Sequence, residues 1–162
     1  MPDSSKTCLK HATVEPCGLA HAEVLAGVHA RCFAKPWDAK AMRTLLASPG
    51  AFGFLAAVGA LPTGLILCRV GADECEILTL AVVGPARRNG IGAGLLDAAL
   101  RGAWARDARR MFLEVGARNR AARHLYVSRG FRQIGRRRNY YRVPDAPAED
   151  ALVFCLQREE TA

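Results

Sequence analysis

The sequence predicts a mixed α/β domain, and three observations carry that reading. Leu80–Leu95 runs from an apolar strand through a Pro-containing turn and an Arg/Gly loop into an amphipathic helix. Apolar runs of strand length, such as Ala51–Val58 and Leu65–Val70, alternate elsewhere with helical stripes. The 162 residues, 51% hydrophobic and 23% charged, suit one globular domain able to bury a substantial core.

In chain order, Ala12–Glu15 reads as a first strand. Leu19–Phe33 carries a helical stripe through Leu19, Ala22, Leu25, Ala26 and His29. Asp38 follows Pro36-Trp37 and can cap a second helix, Ala39–Ala47, which stops at Pro49-Gly50. Ala51–Val58 and Leu65–Val70 read as antiparallel strands joined by a turn over Gly59–Gly64, and Cys75–Val83 as the next strand. Ile91–Asp107 is the clearest helix, with Ile91, Leu95, Leu96, Ala99, Leu100 and Trp104 on one side. Met111–Val115 is a short strand and Asn119–Arg129 a helix, with Gly130 suited to its left-handed C-terminal position. Phe131–Arg136 and Asp150–Leu156 close the chain as strands, separated by a loop containing Pro144 and Pro147. The sum is a mixed, mostly antiparallel sheet of six to seven strands with about four helices. A single domain over 12–157 is expected, with residues 1–11 and 158–162 as flexible termini.

Several classes are set aside on composition. The polar N-terminal segment is followed by no apolar signal region. Ala51–Cys68 is apolar enough to suggest a membrane span, but Gly53, Gly59, Pro62 and Gly64 interrupt it. The six cysteines, at 8, 17, 32, 68, 75 and 155, form no Cys-x-x-Cys and have no histidine at metal spacing. Buried free thiols in a soluble, cytoplasmic protein without a metal are therefore expected.

The net charge of +8 is unevenly placed. Residues 101–142 carry thirteen arginines against Asp107 and Glu114, whereas the tail from Val143 sets Arg158 against five acids. Such a face is either a solvated surface or an attractor of polyanions, whether cofactor phosphates or RNA.

The loop at Arg87-Arg88-Asn89-Gly90-Ile91-Gly92 opens a helix, where free backbone N–H groups and the helix dipole suit a phosphate. A Walker loop would need Gly-Lys-Ser/Thr, which is missing. A dinucleotide fingerprint finds Gly90-x-Gly92 after a strand, but its third glycine is replaced by Leu95.

The hexapeptide instead resembles the Arg/Gln-x-x-Gly-x-Gly/Ala signature of the GNAT acyltransferases. Phe112-Leu113-Glu114-Val115, then Asn119, Leu125-Tyr126 and Gly130-Phe131, resemble that family's later motif in order and spacing. Arg137-Arg138-Asn139-Tyr140-Tyr141 and Pro36-Trp37 are similar to the RimI-type subgroup, which acetylates the N-terminal alanine of a small-subunit ribosomal protein. The resemblance spans roughly residues 12–157 and implies the GNAT fold, with acetyl-CoA as cosubstrate. It implies that Leu80, Ala81 and Val82 pair with the pantetheine arm. Arg87, Arg88, Asn89, Gly90, Ile91 and Gly92 would hold the pyrophosphate, and Asn119 would contact the cofactor. It further implies Glu114 as general base and Tyr126 as general acid. One departure is Gly116-Ala117-Arg118-Asn119, where the subgroup has Arg-Ala-Ser-Asn, which bears on substrate preference.

The residues allow that chemistry in their own right. An α-amine with a pKa of about 7.7–8.0 costs roughly 0.5–1 kcal/mol to deprotonate near pH 7.4, against about 4 kcal/mol for lysine. A modest base therefore suffices for a protein N-terminus. Glu114, a carboxylate among apolar strand neighbours, can be that base or can pair with a nearby arginine; its strand position favours the base. Tyr126 lies two helical turns after Asn119 on one face and can donate to a departing thiolate, or simply pack as an aromatic. Asn119 can equally cap its helix. Surface or satisfied core roles are expected for His21, His29 and His124. Trp37 is expected as a packed anchor, with lining of a peptide groove as the second role. Arg136–Arg138 read as a solvated run or, with Tyr140 and Tyr141, as ordering a substrate loop or touching RNA. No cysteine lies in the expected site, so transfer should be direct. The expected acceptor is a ribosomal protein N-terminus, with ribosomal RNA as an accessory contact. The alternatives are lysine or a small amine on the same scaffold, or a non-catalytic RNA-binding module.

Overall fold

The structure, a computed structural model, describes residues 11–160. Expectations for residues 1–10, Cys8 included, and for 161–162 lie outside the described residues. Among the described residues, seven strands form one sheet in the order β1-β2-β3-β4-β5-β7-β6, accompanied by four α-helices. The expected mixed sheet is thus observed. Its contacts divide the chain into two compact units, one running up to Arg69 and adding Leu78–Gly102, the other combining Val70–Ile77 with the chain from Ala103.

The first unit starts with β1 (Ala12–Cys17), which pairs antiparallel with β2 (Ala51–Val58). Between them, the single helix expected over Leu19–Phe33 is a short 3-10 turn, Leu19–His21, followed by α1 (Ala22–Ala30). His21 Nδ1 accepts the Gly18 N–H at 2.9 Å and so tightens this entry. α2 (Ala39–Leu46) is capped by Asp38, whose Oδ1 accepts the Ala41 N–H at 2.8 Å, as its sequence position implies. β3 (Leu61–Gly71) begins four residues earlier than expected. The turn needs only Gly59 (φ +59) and Ala60, and the register with β2 shifts between Ala56 and Ala57, where Pro62 enters the ladder. β4 (Glu74–Val82) contributes its second half to this unit.

α3 (Ile91–Trp104) buries Leu95 and Leu96 completely, and Leu65, Ile66 and Leu67 on β3 are also fully buried. Its seat depends on Gly64: a Cβ there would lie 2.8 Å from the Ala81 carbonyl oxygen and 3.0 Å from Leu95 Cδ1. α3 ends three residues before the expected Asp107. The Ala108 N–H bonds Ala103 O at 3.1 Å, the Asp107 N–H bonds Trp104 O at 3.2 Å, and Asp107 is left-handed (φ +62). That pattern is a Schellman termination built on aspartate instead of glycine.

In the second unit, Glu74–Glu76 of β4 pair parallel with Arg110–Phe112 of β5 (Arg110–Gly116). β7 (Glu149–Gln157) runs antiparallel along all of β5, from Arg110↔Gln157 to Gly116↔Ala151. α4 (Arg120–Ser128) ends in a second Schellman motif: the Phe131 N–H bonds Tyr126 O at 3.1 Å, and Gly130 takes φ +88 as expected. β6 (Arg132–Tyr141) is the outer strand and continues past the expected stop at Arg136. Its register with β7 is irregular between Arg137 and Tyr141. Asp150 holds it, accepting the Asn139 N–H at 2.8 Å and pairing with Arg136 Nε at 2.8 Å. Arg158, within the segment expected as a flexible tail, is bonded through its N–H to Arg109 O at 2.8 Å. Among the described residues no helix is long and apolar enough to cross a membrane. Cys17, Cys32, Cys68, Cys75 and Cys155 are not disulfide-bonded, and Cys68 and Cys75 are buried.

Candidate active site

In the first unit, the segment between β4 and α3 is held by its own side chains. Arg87 Nε donates to Val82 O at 2.9 Å, while Asn89 Nδ2 donates to Ala86 O at 3.2 Å and Arg87 O at 3.0 Å. Arg88 and Gly90 are both left-handed, at φ +63 and +76. Alternating handedness turns successive N–H groups toward a common side, the geometry of an anion-binding nest. The first intrahelical bond of α3 is Gly94 N–H to Gly90 O at 2.9 Å, so the N–H groups of Ile91 and Gly92 precede the helical ladder. The set fits a phosphate. The Nε of Arg87 and the amide of Asn89 also shape the loop itself. Ile91 is buried, and on β4 the half-buried Leu80 and Val82 alternate with buried Ala81.

In the second unit, β5 presents Glu114 with its side chain 26% exposed. Arg137 Nε lies 2.8 Å from Glu114 Oε1, so the arginine pairing weighed from the sequence is present. The same guanidinium sits over the Tyr140 ring at 5.4 Å, and Tyr140 and Tyr141 meet edge to face at 5.1 Å. Burial, followed by the Glu114 carboxylate, pushes the Tyr141 phenol pKa up. Glu114, Arg137, Tyr140 and Tyr141 therefore form one cluster. The sequence carried its signal only as the Arg-Arg-Asn-Tyr-Tyr run.

Tyr126 is buried on α4, its ring 5.7 Å from Phe131 and 6.4 Å from Phe154. Asn119 is the helix cap, Oδ1 accepting the Ala122 N–H at 3.1 Å. That cap does not use its amide nitrogen. Gly116 lies against the carboxylate of Glu149. Glu149 Oε1 accepts the Arg118 N–H at 2.7 Å and lies 2.6 Å from where a Cβ at 116 would be. Among the described residues no group of three or more His, Cys, Asp or Glu is arranged to hold a metal ion.

The first unit thus carries a strand leading into an anion nest at a helix N-terminus, and the second a carboxylate–tyrosine cluster shared by β5 and β6. Residues 23–131 match the Acetyltransferase (GNAT) family, and the chain belongs to it as an acetyl-CoA-dependent N-acetyltransferase. It is similar to the [Ribosomal protein bS18]-alanine N-acetyltransferase of Escherichia coli (strain K12), 31% identical over 131 residues that cover 80% of this chain and 86% of that protein. It is also similar to the N-alpha-acetyltransferase RimI of Mycobacterium tuberculosis, 36% identical over 144 residues that cover 86% of this chain and 85% of that protein. The crystal structure of the Escherichia coli ribosomal-protein-S18-alanine N-acetyltransferase superposes with a TM-score of 0.85 at 26% identity, over 94% of this chain and 97% of the other.

Proposed function

We propose that this enzyme transfers acetyl from acetyl-CoA directly to the α-amine of a protein N-terminus, and that the acceptor is the N-terminal alanine of a small-subunit ribosomal protein. One observation carries the reading. Over 80–86% of its length the chain resembles proteins named for N-terminal acetylation, one of them for alanine on a ribosomal protein.

The chain's own residues suit each requirement of the reaction. The N–H groups of the Arg88–Gly92 nest would take the cofactor's pyrophosphate, with Leu80, Ala81 and Val82 pairing along its arm. The amide nitrogen of Asn119 would supply a further contact. Glu114 would accept the proton from the incoming ammonium, directly or through water. The neutral amine then forms the C–N bond at the acetyl carbonyl as the C–S bond breaks; Tyr126 would give its proton to the departing thiolate, and the nitrogen would release its remaining excess proton to water, from which Tyr126 is reprotonated. Because an α-amine is within about 1 kcal/mol of neutrality near pH 7.4, a carboxylate is base enough.

The acceptor class is tested with two synthetic peptides and saturating acetyl-CoA. One begins with a free alanine and has its lysines masked; the other has a blocked N-terminus and a free internal lysine. Acetylation of the first alone is expected. Modification of the second would transfer the reading to a lysine acetyltransferase.

The arginine-rich stretch extends the proposal to a ribosomal RNA contact. Arg120, Arg123, His124 and Arg132 line a groove of about 630 Å³ on the second unit. RNA held there would lose affinity steeply with salt, and a salt-insensitive affinity would remove this contact from the proposal.

A further inference from the structure

One face of α4 is arranged for a ligand that the chain does not itself supply. Arg120, Arg123, His124 and Val127 stand at i, i+3, i+4 and i+7, a single stripe along the helix. Arg132 and Gln133, at the start of β6, complete the groove of about 630 Å³, which lies wholly within the second unit. Its charge is uncompensated: among the described residues no carboxylate pairs with Arg120, Arg123 or Arg132, and none lines the groove. Farther along β6, by contrast, Arg136 and Arg137 each hold an acid at 2.8 Å. The Arg123 guanidinium is fixed without being neutralised. Its Nη1 donates to Ala117 O at 2.8 Å, while its buried Nε meets no acceptor among the described residues. Cations placed in advance spare a ligand the cost of ordering them.

The other end of the groove differs in kind. Val127 is apolar yet 58% exposed, and the almost wholly buried Phe131 and Phe154 back it, their rings packed against Tyr126. The lining thus grades from cationic at Arg120 to apolar at Val127 over about 10 Å, at roughly 1.5 Å of rise per residue. Exposed Gln133 makes only a long contact, Nε2 to Gly135 O at 3.5 Å, so its amide keeps donor and acceptor capacity for a ligand. A nucleotide joins an anion and a flat ring with polar edges in one unit, which matches this order of linings. An A-form duplex offers the arginines its phosphates but keeps its bases stacked inside, out of reach of Val127. An unpaired strand can turn a base out against an apolar surface or a guanidinium plane.

We infer that this groove is a single-nucleotide pocket for unpaired RNA: Arg120, Arg123 and Arg132 hold the phosphate, and one base turns in over Val127 with Gln133 at its edge. This rests on the reading of an RNA contact and deepens it by naming the form of RNA that fits. Neither Glu114 nor Tyr141 lines the groove. It therefore serves as a second point of attachment to a ribosomal target, raising the effective concentration of the acceptor N-terminus without entering the chemistry.

The experiment measures fluorescence anisotropy of a labelled short oligouridine, and of a fully paired RNA hairpin of the same length, on the full chain at fixed salt. The oligouridine should bind about tenfold tighter than the hairpin or more. Arg120→Gln and Arg132→Gln should each weaken the oligouridine about fivefold or more, and Arg101→Gln, which removes an exposed charge on α3, less than about twofold. Val127→Ser should cut the preference for the single strand about threefold. Equal losses in the three arginine variants, or an unchanged preference in Val127→Ser, overturn the pocket. Uridine monophosphate and a polyglutamate peptide serve as competitors and should displace the oligouridine only weakly. Displacement as strong as by unlabelled oligouridine would assign the groove to a free nucleotide or to an acidic protein and overturn the proposal. Equal affinity for both RNAs overturns the pocket and leaves the RNA contact standing, whereas no binding of either RNA removes the contact and the pocket together.

Discussion

The guanidinium of Arg137 pairs with Glu114 at 2.8 Å, and its side chain is 58% exposed. A pair open to water at one end contributes about 0–1 kcal/mol, so the carboxylate can exchange partners without a large cost. The interaction holds the carboxylate in place while leaving it exchangeable.

Replacing Glu114 by glutamine separates these two functions. Glu114→Gln should lower turnover by about 10²–10⁴-fold, the usual worth of a general base. Acetyl-CoA affinity should stay near the parent value, and stability should change by less than about 1 kcal/mol. Steady-state kinetics beside calorimetric titration with acetyl-CoA checks this; full turnover would leave Glu114 as Arg137's partner only.

Tyr126→Phe keeps the ring against Phe131 and Phe154 and removes the phenolic hydroxyl. Turnover should fall about tenfold or more. The defect should shrink with an acetyl thioester of a more acidic thiol, which leaves without help. An equal defect with both donors would assign the hydroxyl to packing.

Two glycines should fail differently. At Gly90 (φ +76) an added Cβ meets nothing within 4 Å, so Gly90→Ala strains only the backbone, by about 1–2 kcal/mol, and should weaken acetyl-CoA binding. At Gly64 the same methyl meets a carbonyl oxygen at 2.8 Å. Gly64→Ala should therefore lower thermal stability through overpacking, by about 1–3 kcal/mol. Thermal melts with and without acetyl-CoA distinguish the two.

The buried imidazole of His29 makes stability depend on pH with a definite sign. Burial pushes the pKa of His29 below its ordinary 6.5. Below that pH the unfolded chain binds a proton that the folded chain refuses, so stability falls as pH falls. The contribution is complete above about pH 6.5 and is lost downward until the folded group itself titrates. Urea midpoints at several values between pH 7.5 and 5 should drop more for the parent than for His29→Phe. Parallel curves would show that the histidine does not set this slope.

What the sequence made legible was local. Asp38 and Gly130 announced a helix start and a helix end because one side chain or one φ value decides each. The end of α3 was harder, because Asp107 occupies the left-handed position that glycine usually marks. The Arg137–Glu114 pair and the His29–Thr79 bond join residues distant in sequence, and no periodicity encodes such partners. The length of β6 was hidden for a related reason: its continuation depends on Asp150 from a neighbouring strand holding the irregular stretch near Asn139.

β6 has one further consequence, for how copies of the chain meet in concentrated solution. An outer strand offers unpaired backbone groups on which another molecule's strand can template. Here that rim carries Arg132, Arg136, Arg137 and Arg138, and it is broken by left-handed Asn139 (φ +49). Like charges and a kinked profile oppose sheet growth across molecules. The arginine that steadies Glu114 therefore also belongs to a guard against aggregation.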